Sequence, residues 1–378
     1  MKNKVLTVFL IAVFAASFPL PVTAAPGSPL CLPGPQGQGS DNCQRLGPTA
    51  YLDRLAALGL TFPLRTLPSS QPDINLAYLP YFYARVTAEQ GRVYSSLDDA
   101  VVGKPVARYI EGGFDFVSYI DVREVDGKKF YLISPGEWMR GNDLSAGVAY
   151  GQFMGLEFSY TPSREFGWIL QPVQGRLSAS IDAEYSDHWF TRWDVIQVYD
   201  KKEVDGLTWY MVSPDLWVES REAALVYPAK KAPEGIENGR WIEINLGEQT
   251  MSVYEDNHLV YATLTATGLP GVWTRPGLFQ IYQKEESTPM TGSFEIDRSD
   301  YYYLEDVPWT MYFDEARAFH GAYWHNNFGS ERSKGCANLS TGDSRWLFDW
   351  ANLGDWVYVW DPSGRTPTDP ALYGAGGA

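Results

Sequence analysis

Cys336 and the two histidines before it, His320 and His325, are the residues of this chain best suited to covalent chemistry. A thiol becomes a useful nucleophile when a base or a positive charge favours its thiolate. His320 lies 16 positions (336 − 320) ahead of Cys336, in the stretch HGAYWHNNFGSERSKGCANLS from His320 to Ser340. Gly329 and Gly335 let the loop between them fold back sharply. Gly335 directly precedes Cys336, so a substrate can come close to the thiol and to the backbone N–H, a candidate oxyanion donor. The plain alternative is a buried cysteine and a core histidine that share a loop by coincidence. Residue types alone also permit a zinc site from His320, His325 and Cys336. The spacing and the lack of a carboxylate partner argue against it, and neither a metal nor another cofactor is expected.

The neighbouring residues shift the balance. They resemble the signature of the L,D-transpeptidase catalytic domain, or YkuD domain. In that signature a His-Gly pair and an aromatic loop lead to Ser-His-Gly-Cys-x-Asn. Ser333, Gly335, Cys336 and Asn338 match, and Lys334 stands where the family has its second histidine. The resemblance implies a cysteine acyltransferase acting on peptidoglycan stem peptides, which supply both acyl donor and amine acceptor. Cys336 would be the nucleophile and His320 the base. The Gly321 carbonyl would orient the ring, and the N–H of Cys336, with that of Gly335, would face the oxyanion. Tyr312, Tyr323 and Trp324 would line the donor groove or pack in the core. His325 and Asn326 would shape the site, with Ser333 and Asn338 beside the substrate. Lys334 is a donor and a cation but never a neutral acceptor. It would favour the Cys336 thiolate and help bind a stem carboxylate. Two alternatives stay open: a degenerate domain that only binds wall peptides, and a hydrolase in which water replaces the acceptor amine.

Those residues need elements to hold them. From Arg240, alternating apolar residues predict strands at Ile242–Leu246, Thr250–Tyr254 and Asp355–Asp361, and Leu259–Thr267 reads as a further strand; the resemblance implies that Trp309–Phe313 is the strand feeding the site. A turn is expected at Thr274-Arg275-Pro276-Gly277, and Ser340–Asp343 reads as a helix start after the cysteine. The resemblance spans 240–362 and implies a β-sandwich with a short helix.

Upstream lies an internal repeat. Glu124-Val125-Asp126-Gly127 recurs as Glu203-Val204-Asp205-Gly206, and Tyr131, Ser134-Pro135 and Trp138 recur as Tyr210, Ser213-Pro214 and Trp217, all offset by 79 (205 − 126). Gly91-Arg92 matches Gly175-Arg176 at an offset of 84 (175 − 91), so one copy carries a small insertion. Asp-Gly between aliphatic–aromatic runs predicts a hairpin. The copies, placed at 86–150 and 170–228, resemble bacterial SH3-like β-barrel modules. They would bind or guide wall substrate, or serve as scaffold, with Trp138 and Trp217 as core anchors. The fold class is therefore mainly β. A linker is expected at 229–239 and a flexible tail at 363–378.

The N-terminal end reads as an export signal over 1–24. Lys2 and Lys4 precede an apolar run, and Val22-Thr23-Ala24 offers a cleavage site. An uncleaved anchor is the alternative. Bulky Leu30 argues against a lipoprotein site at Cys31. In an oxidising compartment Cys31 and Cys43, in the segment 25–85, are expected to pair. Cys336 is then the odd thiol. A helix is predicted over Tyr51–Leu60. The net charge of −16 speaks against nucleic acid as a partner. No stretch after the signal is long and apolar enough to span a membrane. The oligomeric state is not legible.

Overall fold

The computed structural model describes residues 48–60, 64, 66–111, 113–134, 136–148, 153–293, 297 and 299–373. The expected export signal, the Cys31–Cys43 pair and the last residues of the tail lie outside them. The chain divides into two units, 1–65 and 66–378. In the first, helix α1 runs Pro48–Ala57. It stops three residues short of the expected end because Gly59 turns left-handed at φ 68°, the usual way a helix is terminated. Among the described residues no helix is long and apolar enough to cross a membrane.

The second unit is mainly β. The repeat in sequence is a repeat in topology. Copy one has eight strands: Phe82–Val86, Gln90–Tyr94, Arg108–Glu111, Phe114–Tyr119, Asp121–Val125, Lys128–Ser134, Glu137–Arg140 and Leu144–Ala146. Copy two has eight in the same order: Phe166–Ile169, Val173–Arg176, Tyr185–Phe190, Val195–Gln197, Asp200–Val204, Leu207–Ser213, Leu216–Glu219 and Ala223–Val226. In each, the second, third and fifth to seventh strands form a five-stranded sheet, and the first, fourth and eighth lie side by side elsewhere. The Asp-Gly turns take positive φ at both residues (50° and 71°; 53° and 75°), as a two-residue hairpin requires. The insertion is helix α2, Leu97–Val102, in copy one. Each copy begins four residues ahead of the positions 86 and 170 expected from sequence, at Phe82 and Phe166, because its first strand lacks the repeated residues.

The region after 240 builds two larger sheets. One runs, in spatial order, Ser69–Ser70, Leu156–Phe158, His258–Leu264, Thr250–Glu255, Trp241–Asn245, Trp356–Trp360, Gly277–Gln280. Alternation exposes the reason for the pairing: Ile242, Ile244, Val253, Val357 and Val359 all turn into one core, where Met311, Phe313 and Phe319 of the other sheet and Leu347 meet them. The other sheet carries Ala337–Leu339, Arg317–Gly321 and Tyr302–Asp314, with Gln283–Gly292 paired to the last. It does not end there. Phe114–Tyr119 of copy one joins in parallel, Phe114 opposite Tyr302 and Phe116 opposite Leu304. The expected linker is also drawn in: Ile236 is buried in the core of Trp168 and Trp241.

Helix α3, Thr341–Trp350, follows the cysteine loop as the sequence predicts, with Ser340 Oγ accepting the Asp343 N–H. The Asp343 carboxyl, fully buried, accepts from Gly155 N–H (2.8 Å), Tyr261 OH (2.7 Å) and Thr263 Oγ1 (2.6 Å). It thereby ties the segment between the repeats to helix α3.

Candidate active site

His320 lies in the strand Arg317–Gly321, and Cys336 immediately precedes the strand Ala337–Leu339. These strands pair in parallel, with His320 opposite Asn338. The pairing brings both ends of the 320–340 stretch to one place. His320, Cys336, Asn338 and Lys334 line a single cavity of about 330 Å³, together with Tyr302 and Trp324. Phe114, from the first repeat, completes its wall.

The turn before the thiol is built by its own residues. Gly335 sits at φ 122°, a conformation that favours glycine. Its carbonyl accepts Thr274 Oγ1 at 2.8 Å, and Thr274 in turn takes the Gly268 N–H at 3.0 Å. The turn expected at Thr274–Gly277 is not formed: residues 274–276 are irregular and Gly277 opens the strand Gly277–Gln280. Ser333 Oγ donates to the Cys336 carbonyl at 2.5 Å and accepts the Gly335 N–H at 3.1 Å. Of the two N–H groups expected at an oxyanion, that of Gly335 is thus engaged by Ser333. The Ser333 hydroxyl closes the turn.

Electrostatically the pair is neutral. Burial pushes the Cys336 thiol up to about 11; the Ala318 N–H and the Arg317 guanidinium oppose it and lose. The thiol donates to the Ala316 carbonyl at 3.7 Å. Burial pulls His320 down to about 4, against the Gly321 carbonyl. That carbonyl lies 3.4 Å from Nδ1; it accepts the Nδ1 hydrogen and leaves Nε2 as the basic nitrogen. Gly321 is needed for a further reason: a Cβ there would meet Ser344 Oγ at 2.7 Å.

The aromatic candidates separate. Trp324 lines the cavity and packs on His320, ring centres 5.5 Å apart. Tyr323 is a core residue and not a groove wall: it is fully buried, stacks on Tyr83 at 3.4 Å and donates to the Glu305 carbonyl. Tyr312 is half-buried; burial first and the charge of an ionised Cys336 second push its ionisation up, and it is not among the residues that line the cavity. His325 is mostly buried and pulled down to about 3 by burial, Arg332 and His320. Its Nε2 lies 3.0 Å from Asn338 Nδ2. The loop between is braced by the second repeat: Arg192 donates to the Asn326 carbonyl at 2.5 Å, and Leu170 fills the space beside Gly329. Among the described residues no three His, Cys, Asp or Glu side chains gather closely enough to hold a metal ion.

A tautomer-fixed histidine on one strand and a cysteine just ahead of that strand's parallel neighbour sit inside a recognisable segment. Residues 239–359 match YkuD, the L,D-transpeptidase catalytic domain. No curated protein matches the chain. Among solved structures, the L,D-transpeptidase (Yku) from Stackebrandtia nassauensis is 27% identical over 35% of this chain and 59% of its own, TM-score 0.27. The E. faecium catalytic domain is 26% identical over 33% of this chain and 100% of its own, TM-score 0.29. The L,D-transpeptidase from Mycobacterium smegmatis is 17% identical over 57% and 95%, TM-score 0.31. Superpositions this loose add nothing to the family match.

Within this YkuD domain, Lys334 is placed differently from its expected task. Its ammonium meets Asp300 Oδ2 at 2.6 Å and the Asp300 carbonyl at 3.0 Å, and lies 4.9 Å above the Tyr302 ring. It links the motif to the end of the Gln283–Asp314 hairpin. The cation that acts on Cys336 is Arg317, which is buried and paired to Asp314 at 3.1 Å. Sequence reasoning missed Arg317. The one signal was a charge opening an otherwise apolar strand, Arg-Ala-Phe-His-Gly. Phe114 had no signal at all, since it reaches the YkuD cavity from more than two hundred positions away.

Proposed function

We propose that the chain is an exported cysteine acyltransferase that cross-links or remodels peptidoglycan stem peptides through a thioester on Cys336. What supports this most is the shared cavity: His320 and Cys336 line it together inside a YkuD domain. Cys336 Sγ attacks a stem-peptide carbonyl while its proton passes to His320 Nε2. The Cys336 N–H faces the oxyanion. As the tetrahedral species collapses, the peptide C–N bond breaks and His320 returns the proton to the leaving amine. The acceptor amine then attacks the thioester, gives its proton to His320, and the thiol is restored. Burial disfavours both charged forms, the Cys336 thiolate and the His320 imidazolium, so an ion pair formed before attack is disfavoured. Proton transfer therefore accompanies carbon–sulfur bond formation. The upstream copies are SH3-like modules that present wall substrate to this cavity.

The test is intact-mass analysis after a carbapenem, the inhibitor class the resemblance implies. One adduct is expected on the wild type and none at this site on Cys336→Ser. A wild type that stays unmodified counts against the reading. Muropeptide products then separate transfer (dimers) from hydrolysis (shortened monomers). One observation favours a wall-binding protein without turnover: Cys336 is only 4% exposed. That reading predicts that Cys336→Ser binds purified sacculi as the wild type does while neither changes their muropeptides.

A further inference from the structure

A second cavity, of about 740 Å³, shares no lining residue with that of Cys336. It lies on the outer face of the sheet that carries Trp241–Asn245 and Trp356–Trp360. Alternation sends Ile242, Ile244, Val357 and Val359 into the core, so Glu243, Tyr358 and Trp360 turn the other way and line this cavity. The segment expected as a linker builds the opposite wall, and it is fixed at both ends. The Ala229 N–H donates to Tyr254 OH at 2.9 Å, and Ile236 is buried. Gly235 lets the backbone lie close to Leu278, whose Cδ2 would be 3.1 Å from a Cβ there. The cavity is therefore formed before any ligand arrives.

Its charges are unbalanced. Glu243 stands opposite Tyr358 in the parallel ladder and is 9% exposed. Its Oε1 accepts the Trp360 Nε1–H at 3.1 Å. Burial pushes the carboxyl up to about 7; the Trp241 and Trp360 side chains oppose it, and no cation is among the groups that act on it. Burial first and the Glu243 charge second raise Tyr254 and Tyr358, which places the carboxyl beside both. Lys231 and Glu234 line the cavity too, and both are exposed. Tyr227, a further lining residue, already has Lys201 4.6 Å from its ring centre and donates its hydroxyl to Glu248. Among the described residues no cation lies over the Tyr358 or Trp360 ring. A carboxylate enclosed by rings and neutral donors lacks a counter-charge. A cationic ligand supplies one and gains again where it meets an aromatic face, and a net charge of −16 draws cations to the protein. We propose that this cavity binds an alkylammonium group, its nitrogen against the Glu243 carboxylate and its chain beside the Tyr358 and Trp360 rings. Binding there requires no chemistry at Cys336.

Calorimetric titration of the full chain with butylammonium chloride tests it. Butylammonium should bind, and 1-butanol and butyrate, which bring no positive charge, should bind at least about tenfold more weakly. Nα-acetyl-lysine methylamide carries the same group on a peptide, and the tighter of the two amines names the source, free amine or lysine side chain. Below pH 7 the affinity of the wild type should fall about tenfold per unit, because Glu243 takes up a proton while the ammonium, at about 10.4, stays charged. Glu243→Gln should weaken binding at pH 8 at least about tenfold and abolish that pH dependence. Tyr358→Leu should weaken it about threefold. Lys231→Ala, at an exposed position that folding does not need, should tighten it by removing a like charge. No binding by either amine, 1-butanol or butyrate bound as tightly, or a flat pH profile in the wild type overturns the proposal. So does weaker binding in Lys231→Ala, which would mark an anion site. An unchanged affinity in Tyr358→Leu removes that ring from it.

Discussion

Cys336 should react with a small alkylating agent more slowly than an ordinary cysteine, and with a steep pH dependence. Only the thiolate reacts. An unperturbed thiol near 8.5 is roughly 3% ionised at pH 7. Burial lifts Cys336 to about 11, which leaves roughly 0.01% ionised, a deficit of about 300-fold before access is considered. The rate should climb about tenfold per pH unit from 7 to 10. Iodoacetamide labelling, quenched at intervals and read by peptide mapping at Cys336, measures it; the same chain in denaturant supplies the ordinary-thiol reference. His320→Ala should leave the curve in place, because Arg317 is the charge that acts on the thiol and His320 is not. A rate that levels off below about pH 8, and loses that plateau in His320→Ala, would mean a thiolate–imidazolium pair and would refute the neutral-pair argument.

Arg317→Met removes a cation that favours the thiolate, so the labelling curve should move to higher pH and carbapenem acylation should slow; an unmoved curve would show that the guanidinium does not act on the thiol. Burial raises Glu305 to about 7 from 4.5. A raised carboxyl stabilises the fold fully below its unfolded value, and that contribution is lost as pH rises through the folded one. Glu305→Gln should therefore melt higher than wild type at pH 8, by at most about 3 kcal/mol, with the gap closing below about pH 4.5. An equal gap at both pH values would locate the effect in packing. Asp343→Ala strands three buried donors, on Gly155, Tyr261 and Thr263, and should destabilise by roughly 3 kcal/mol. Chemical denaturation reads it, and a change under about 1 kcal/mol would show that water replaces the carboxyl.

The site was legible where its chemistry is local. Gly335-Cys336 and His320-Gly321 are short motifs, and each neighbour does its work through backbone geometry that the glycines announce. The Asp-Gly hairpins were legible for the same reason: both turn residues sit at positive φ. Properties that depend on burial were not. Spacing suggested a thiol made acidic by Lys334, but in the fold Lys334 is held by Asp300 and enclosure drives the thiol the other way. Tyr323 and Trp324 are adjacent and alike in sequence; the bend that follows the strand Arg317–Gly321 sends the first onto Tyr83 and the second to the cavity. The first strand of each repeat escaped notice because it carries none of the repeated residues.

The parallel join of Phe114–Tyr119 to Tyr302–Leu304 means that the scissors and the handle are forged in one piece. Cutting the chain near residue 240 would strip the catalytic sheet of a neighbour and leave a row of amides open to self-association. It would also take Phe114 out of the cavity. An insertion that lengthens the first repeat would act on the wall of this cavity, so what the cavity admits can be tuned from a segment more than two hundred positions away from Cys336.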